Sequence, residues 1–296
     1  MRISTAYQFS SYESAIQNSM QTMLDAQNQV ETGKALNKPS DNPTGTASVI
    51  NMQSLQDAIT QYTKNIGNAK SWLNSTDNAL SSITTTLQQG YQAALQGATA
   101  STTDTTRATL ATQVQDLQTT LVNLANSKSP TGQYLFAGQV TQTAPFTVGA
   151  GGLVYNGDSQ SISMEGSPTQ QVDVNTVGSP LITNAYNALQ AIKLDLQNNN
   201  LAGLSGLDVT NIQSSMSAVS VERGNVGAKI NTATDLESQN SQRAQDLTTS
   251  MSNITDVDMT KAITNYQQAY TAYQAALSVA SKGFGNSLLD YIKGIA

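Results

Sequence analysis

The side chains that most often carry chemistry are scarce here. His is 0 and Cys is 0 in 296 residues, which removes thiolate and imidazole metal sites, disulfides, and any Ser–His or Cys–His nucleophile pair. Carboxylate, Lys, Tyr and Ser/Thr chemistry stays open. Asp256 and Asp258 stand two residues apart, with no third acid nearby to complete an acid–base set. Gly149-Ala150-Gly151-Gly152 clusters glycine, yet no strand–turn–helix unit surrounds it, so a hairpin turn is expected rather than a phosphate cradle. Ser40-Asp41-Asn42 lacks the spacing and terminal Glu of a calcium loop. Asn42 before Pro43 reads instead as a capped helix start, with proline where its missing N–H costs nothing. Serine is abundant, but no base exists to activate one. The expectation is a protein that is not an enzyme and has no cofactor and no metal.

The tyrosines are more informative. Tyr266, Tyr270 and Tyr273 share a helical face with Ile263, Leu277 and Phe284, continued by Leu288 and Tyr291. The N-terminal counterpart, Phe9, Ile16, Met20, Met23 and Val30, preceded by Ile3, is thinner. Aromatic surface left unmatched by its own chain is expected to meet another chain, with pairing inside the chain contributing as well. Trp72, the only Trp, is expected to pack beside Leu73.

These faces need long elements to carry them. Met52, Leu55, Ile59, Tyr62, Ile66, Ala69, Leu73, Thr76, Leu80, Ile83, Leu87, Gly90 and Ala94 step by three and four throughout, with only Thr76 and Gly90 as poor members. Leu110, Val114, Leu117, Leu121 and Leu124 predict a shorter helix folding back. From Val209 to Ile254 a second long seam is interrupted by Arg223, Glu237 and Asn240, which predicts a looser or more exposed partner. The region 130–180 breaks the pattern with four of the six prolines and eight of the 20 glycines. It offers Tyr134-Leu135-Phe136, Phe146-Thr147-Val148, Leu153-Val154-Tyr155, Ser161 to Met164 and Val172 to Val174 as strands, with Gly149–Gly152 and Asn156-Gly157 as hairpin turns. The fold expected is mainly α with a small β insertion, a long antiparallel helical bundle or coiled-coil rod built from both ends of the chain. Its parts are 1–40 and 256–296 as a terminal helix pair, 41–129 and 181–255 as the two halves of the rod, and 130–180 as a β-rich domain.

Composition is polar with few charges. Charged residues make up 11%, against about 25% in ordinary domains, while Ser, Thr, Asn and Gln number 123. A net charge of −6 with dispersed Lys and Arg argues against nucleic acid. No apolar run reaches 18 residues, so no membrane span is expected. The opening MRISTAYQFSSYESAI lacks a secretory signal pattern, so any export would use a route that does not read one. Without Cys the unfolded chain carries no crosslink.

Several segments carry a resemblance. Met1-Arg2-Ile3-Ser4-Thr5 and the stretch from Glu31-Thr32-Gly33-Lys34 to Ser40-Asp41-Asn42-Pro43 look like the N-terminal region of the flagellin family, with Gly33 and Asp41 at motif positions. Val221 to Asn231 resembles its C-terminal Arg-x-x-x-Gly-Ala motif through Arg223, Gly227, Ala228 and Asn231. Tyr273 to Leu277, Ser287 to Tyr291, Tyr134 to Gly138 and Val154 to Asp158 are similar to the hook–filament junction members of the family rather than to filament flagellin. The opening lacks flagellin's Asn-Thr-Asn pattern, and there is one central domain where many flagellins have two. The resemblance implies an extracellular structural protein of the bacterial flagellum, exported by the flagellar type III apparatus. It implies a homo-oligomeric ring with hook-associated protein 1 below and flagellin above, and an export chaperone at the C-terminal helix. A self-polymerising flagellin and a type III secreted coiled-coil tip or translocator protein are the alternatives.

Overall fold

In a computed structural model the backbone is described over residues 5–293, and side chains for Tyr7 and residues 9–282. The described elements are α1 (Thr5–Thr32), α2 (Pro43–Ala98), α3 (Asp104–Ala125), β1 (Phe146–Gly149), β2 (Gly152–Tyr155), β3 (Ser163–Ser167), β4 (Gln170–Asp173), α4 (Leu181–Gln197), α5 (Leu201–Ser205), α6 (Leu207–Thr255) and α7 (Met259–Lys293). The chain is mainly α with a small β insertion. It divides into two compact units, Met1–Asp57 with Ala244–Ala296, and Ala58–Arg243.

A chain so rich in hydroxyls stays helical because most helical Ser and Thr side chains bond back to the carbonyl four residues earlier, as Thr63 does to Ile59 and Thr84 to Leu80. Such a bond hides a polar group without breaking the helix. In the larger unit the α2 seam is buried at every position from Ile66 to Ala94. Its two poor members have physical reasons. Thr76, fully buried, donates its hydroxyl to the Trp72 carbonyl at 3.1 Å. At Gly90 a Cβ would stand 2.3 Å from Leu189 Cδ2 and 3.0 Å from Ile212 Cδ1, so α4 and α6 fill the space of the missing side chain.

α6 runs antiparallel to α2, and its polar interruptions are joints rather than gaps. Arg223 pairs with Asp77 at 2.9 Å and Glu237 with Lys70 at 2.7 Å. Asn240 donates to the Gly166 carbonyl at 2.9 Å. Arg223 and Glu237 stay partly exposed, as the expectation of a looser or more exposed partner allows, but both are paired. α4, unmarked in the sequence reading, packs on α3 and buries Ile182, Ala185, Tyr186, Leu189, Ile192 and Leu196.

The β insertion is two separate antiparallel hairpins, β1–β2 and β3–β4. Ala150-Gly151 turns the first, as the glycine cluster predicts. Asn156-Gly157 is not a hairpin turn; it ends β2. Nor is Tyr134-Leu135-Phe136 a strand: Gly132 (φ +84°) and Gly138 (φ +68°) bound it with left-handed turns, and Leu135 and Phe136 plug the core, fully buried. The second hairpin docks on the long helices through its bulge, where the Glu165 and Gly166 carbonyls accept from Asn65 and Asn240.

The α2–α3 corner is closed by a buried cation. Arg107, 5% exposed, donates from Nε to the Gly97 carbonyl at 2.9 Å and from Nη2 to that of Thr99 at 3.4 Å, satisfying groups at the end of α2. Arg107→Met keeps the aliphatic stem but strands both carbonyls. It is expected to cost about 2–3 kcal/mol in urea denaturation, whereas Asp104→Asn, at a solvent-exposed carboxylate, is expected to change little.

Candidate interaction surface on the terminal helices

The smaller unit is built on α1 and α7, packed antiparallel. Where α1 ends, Gly33 takes φ +68°, and a short ladder ties the chain to the α6–α7 junction. Ala35 N–H donates to the Thr255 carbonyl at 2.7 Å and Val257 N–H to that of Gly33 at 3.0 Å. Lys34 Nζ meets Asp256 Oδ1 at 2.5 Å. Lys34, then the hydroxyls of Ser252 and Thr255, hold the Asp256 carboxyl down at about 2. Asp256 thus serves as a tie between segments, and Asp258 caps α7 by accepting from the Thr260 and Lys261 N–H groups. The sequence reading missed Lys34 as a partner; two opposite charges at paired helix breaks were its signal. Asn42 caps α2 by accepting from Gly45 N–H at 2.9 Å, as its place before Pro43 predicts. Asp41 fixes the preceding turn by accepting from Asn37 and Lys38 N–H.

Burial divides the tyrosine stripe. On α7 the covered positions are Ala262, Tyr266, Ala269, Tyr273, Ala276 and Ala280, and on α1 they are Tyr12, Ile16, Ser19, Met23, Ala26 and Val30. Both sets step by four and three, the period of a coiled-coil seam. Alanine at most of the α7 positions keeps that seam narrow. Tyr266 and Tyr273 therefore join Ile16 and Met23 in the intrachain seam. Ile263, Tyr270 and Leu277, seven residues apart and one step round the helix, do not: they are 43%, 44% and 42% exposed. Met20 occupies the equivalent position on α1 and is 45% exposed; Phe9 is 54% exposed. Ile3 and the side chains of Phe284, Leu288 and Tyr291 lie outside the described residues.

The two flanks of the seam differ in kind. One carries Met20, Ile263, Tyr270 and Leu277, and Tyr266 and Tyr270 hold their rings 6.2 Å apart where seam meets flank. The other is a shallow groove of small and polar groups, including Thr22, Asp25, Gln29, Asn265, Gln268 and Ala272. The pair thus carries one exposed apolar flank and one polar flank. The C-terminal motif lies elsewhere. Arg223 is committed to Asp77, and at Gly227 an added Cβ would meet nothing within 4 Å. Ala228 and Asn231 are exposed. Among the described residues no group of three acidic side chains could hold a metal ion, and no helix is long and apolar enough to cross a membrane.

The chain is similar to known proteins. Residues 3–141 match the family model of the bacterial flagellin N-terminal helical region, and residues 209–292 that of the bacterial flagellin C-terminal helical region, about three quarters of the chain together. Over 98% of its length the chain is 27% identical to the flagellar hook-associated protein 3 of Salmonella typhimurium, covering 99% of that protein. Among solved structures, a putative flagellar hook-associated protein from Vibrio parahaemolyticus superposes with a TM-score of 0.68 at 22% identity, over 73% of this chain and all of that one. The flagellar junction protein FlgL from Legionella pneumophila does so with 0.55 at 16% identity, over 70% of this chain and 99% of that one.

Proposed function

The chain belongs to the bacterial flagellin family, and we propose from that premise that it is a structural protein of the flagellum, an axial adaptor at the hook–filament junction on which flagellin polymerises. The observation that carries this reading is the end-to-end correspondence with a hook-associated protein 3, both termini and the middle in one order. The α1–α7 pair supplies the physical means. Its apolar flank of Met20, Ile263, Tyr270 and Leu277 packs against neighbouring copies in a ring, and its polar flank stays wet. Ile16, Met23, Tyr266 and Tyr273 set the pair's own geometry, and Ile3, Phe9, Phe284, Leu288 and Tyr291 extend the contact toward the chain ends. The ring sits on hook-associated protein 1 and presents a surface to flagellin. The chain reaches this place through the flagellar type III apparatus, with an export chaperone on α7. Its role is mechanical rather than catalytic.

Electron microscopy of the purified protein, alone and seeded with isolated hooks bearing hook-associated protein 1, tests the reading. A single short layer on seeded hooks that then supports flagellin growth is the expected result. Long filaments without a seed would identify a flagellin instead. Failure to associate with any flagellar component would turn attention to the type III secreted tip or translocator class.

A further inference from the structure

The corner where α4, α5 and α6 meet buries a carboxyl group that the flagellar assignment does not use. Asp208, in the first turn of α6, is 3% exposed, and its Oδ2 has no hydrogen-bond partner. A carboxylate in such a place is costly unless it is paired or protonated. Its neighbour has the wrong sign for pairing: the Asp195 carboxyl, near the end of α4, lies near enough to act on Asp208. Two carboxyl groups bond to each other only when one of them carries a proton.

The geometry holds the two acids together. Asp195 accepts from Asn200 N–H at 2.9 Å through its carbonyl, and Asn200 caps α5 by accepting from Gly203 N–H at 3.2 Å. The Asp195 carboxylate lies so close over Gly203 that a Cβ there would stand 1.7 Å from Oδ2, so any larger residue would displace the carboxylate. Asn199 adopts φ +54° to make the turn, and Leu204 of α5 is fully buried beneath it. Among the described residues no cation is turned to the pair. α5 carries no charged residue, α2 none after Asp77, and α6 none between Asp208 and Glu222. Tyr91 of α2 bonds Gln213. Lys193 of α4 reaches Gln115 at 2.9 Å. On α3, Arg107 spends its donors on Gly97, Thr99 and Asp104.

We propose that Asp195 and Asp208 form a proton-shared latch that holds the α4–α5–α6 corner closed and loosens it when the proton leaves. Burial first, then the nearby Asp195 carboxyl, push the Asp208 carboxyl up from 3.8 to about 6. The closed corner therefore binds the proton more tightly than the open one. The latch is strongest below about pH 4 and is lost as pH rises through about 6. From those two values the opening equilibrium rises about tenfold between pH 5 and pH 8.

Amide hydrogen exchange on the full chain, corrected for intrinsic rates, reads this opening directly. Between pH 5 and pH 8 the protection of residues 196–207 is expected to fall about tenfold, while the α2 core around Leu80 stays level. Asp208→Asn, a neutral isostere, is expected to remove that slope, and Asp195→Asn, which deletes only the acidic neighbour, to reduce it. Equal protection at both pH values in the unaltered protein overturns the latch, as does a full slope in Asp208→Asn. Should Asp208→Asn fail to fold, the unaltered profile and Asp195→Asn still decide.

Discussion

Gly90→Leu is expected to destabilise the larger unit by about 2–3 kcal/mol, although glycine inside a helix is itself unfavourable by about 1 kcal/mol relative to alanine. The new Cβ would stand 2.3 Å from Leu189 Cδ2 and 3.0 Å from Ile212 Cδ1. Both neighbours are fully buried, so displacing either costs core packing. Gly67, in the same helix, is the matched control. A Cβ there meets nothing within 4 Å, so Gly67→Ala is expected to raise stability by about 0.5–1 kcal/mol. Urea denaturation followed by far-ultraviolet circular dichroism compares the two. Opposite signs follow if Gly90 is a socket for α4 and α6. A Gly90→Leu protein as stable as the original would mean that α2 is not packed against Leu189 and Ile212 as described.

That glycine also marks how far the fold was legible. The three-and-four stepping of α2 located the core because a long helix must cover one continuous stripe, and every seam residue from Ile66 to Ala94 is covered. The exceptions could be seen but not explained, since Thr76 is satisfied by its own helix while Gly90 depends on residues about 100 positions away. Arg223, Glu237 and Asn240 looked like weaknesses for the same reason: their partners Asp77, Lys70 and Gly166 come from distant segments. α4 carries the same spacing over only 17 residues, directly after the proline-rich centre, and short patterns beside breakers are easily passed over. Tyr134-Leu135-Phe136 was read as a strand because apolar runs of that length do not distinguish a strand from a buried turn. The terminal surface was legible as apolar but not as two faces. Its division turns on the alanines Ala262, Ala269 and Ala276, whose small size says little in a sequence and decides which face of α7 lies against α1.

That division makes the strongest prediction. The double variant Tyr270→Ala with Leu277→Ala is expected to leave the chain folded and soluble while lowering its assembly onto seeded hooks by about 100-fold or more. Both side chains stand on the exposed flank at 44% and 42% exposure, so truncating them removes little packing within the chain. If that flank meets a neighbouring copy, a buried tyrosine alone contributes about 2–4 kcal/mol and the leucine adds to it; at 1.4 kcal/mol per decade their loss exceeds two orders of magnitude. Ala269→Leu tests the other face. Ala269 is 9% exposed, and the groove beside it is shared with Ala26, so a leucine there should force α1 away from α7 and show as lost helix-pair stability in the isolated protein. The two variants separate the roles cleanly. Assembly retained by the double variant would make the apolar flank spare, and lost helicity in it would place Tyr270 or Leu277 in the intrachain seam. Only assembly lost with an intact fold agrees with a flank kept for a second copy.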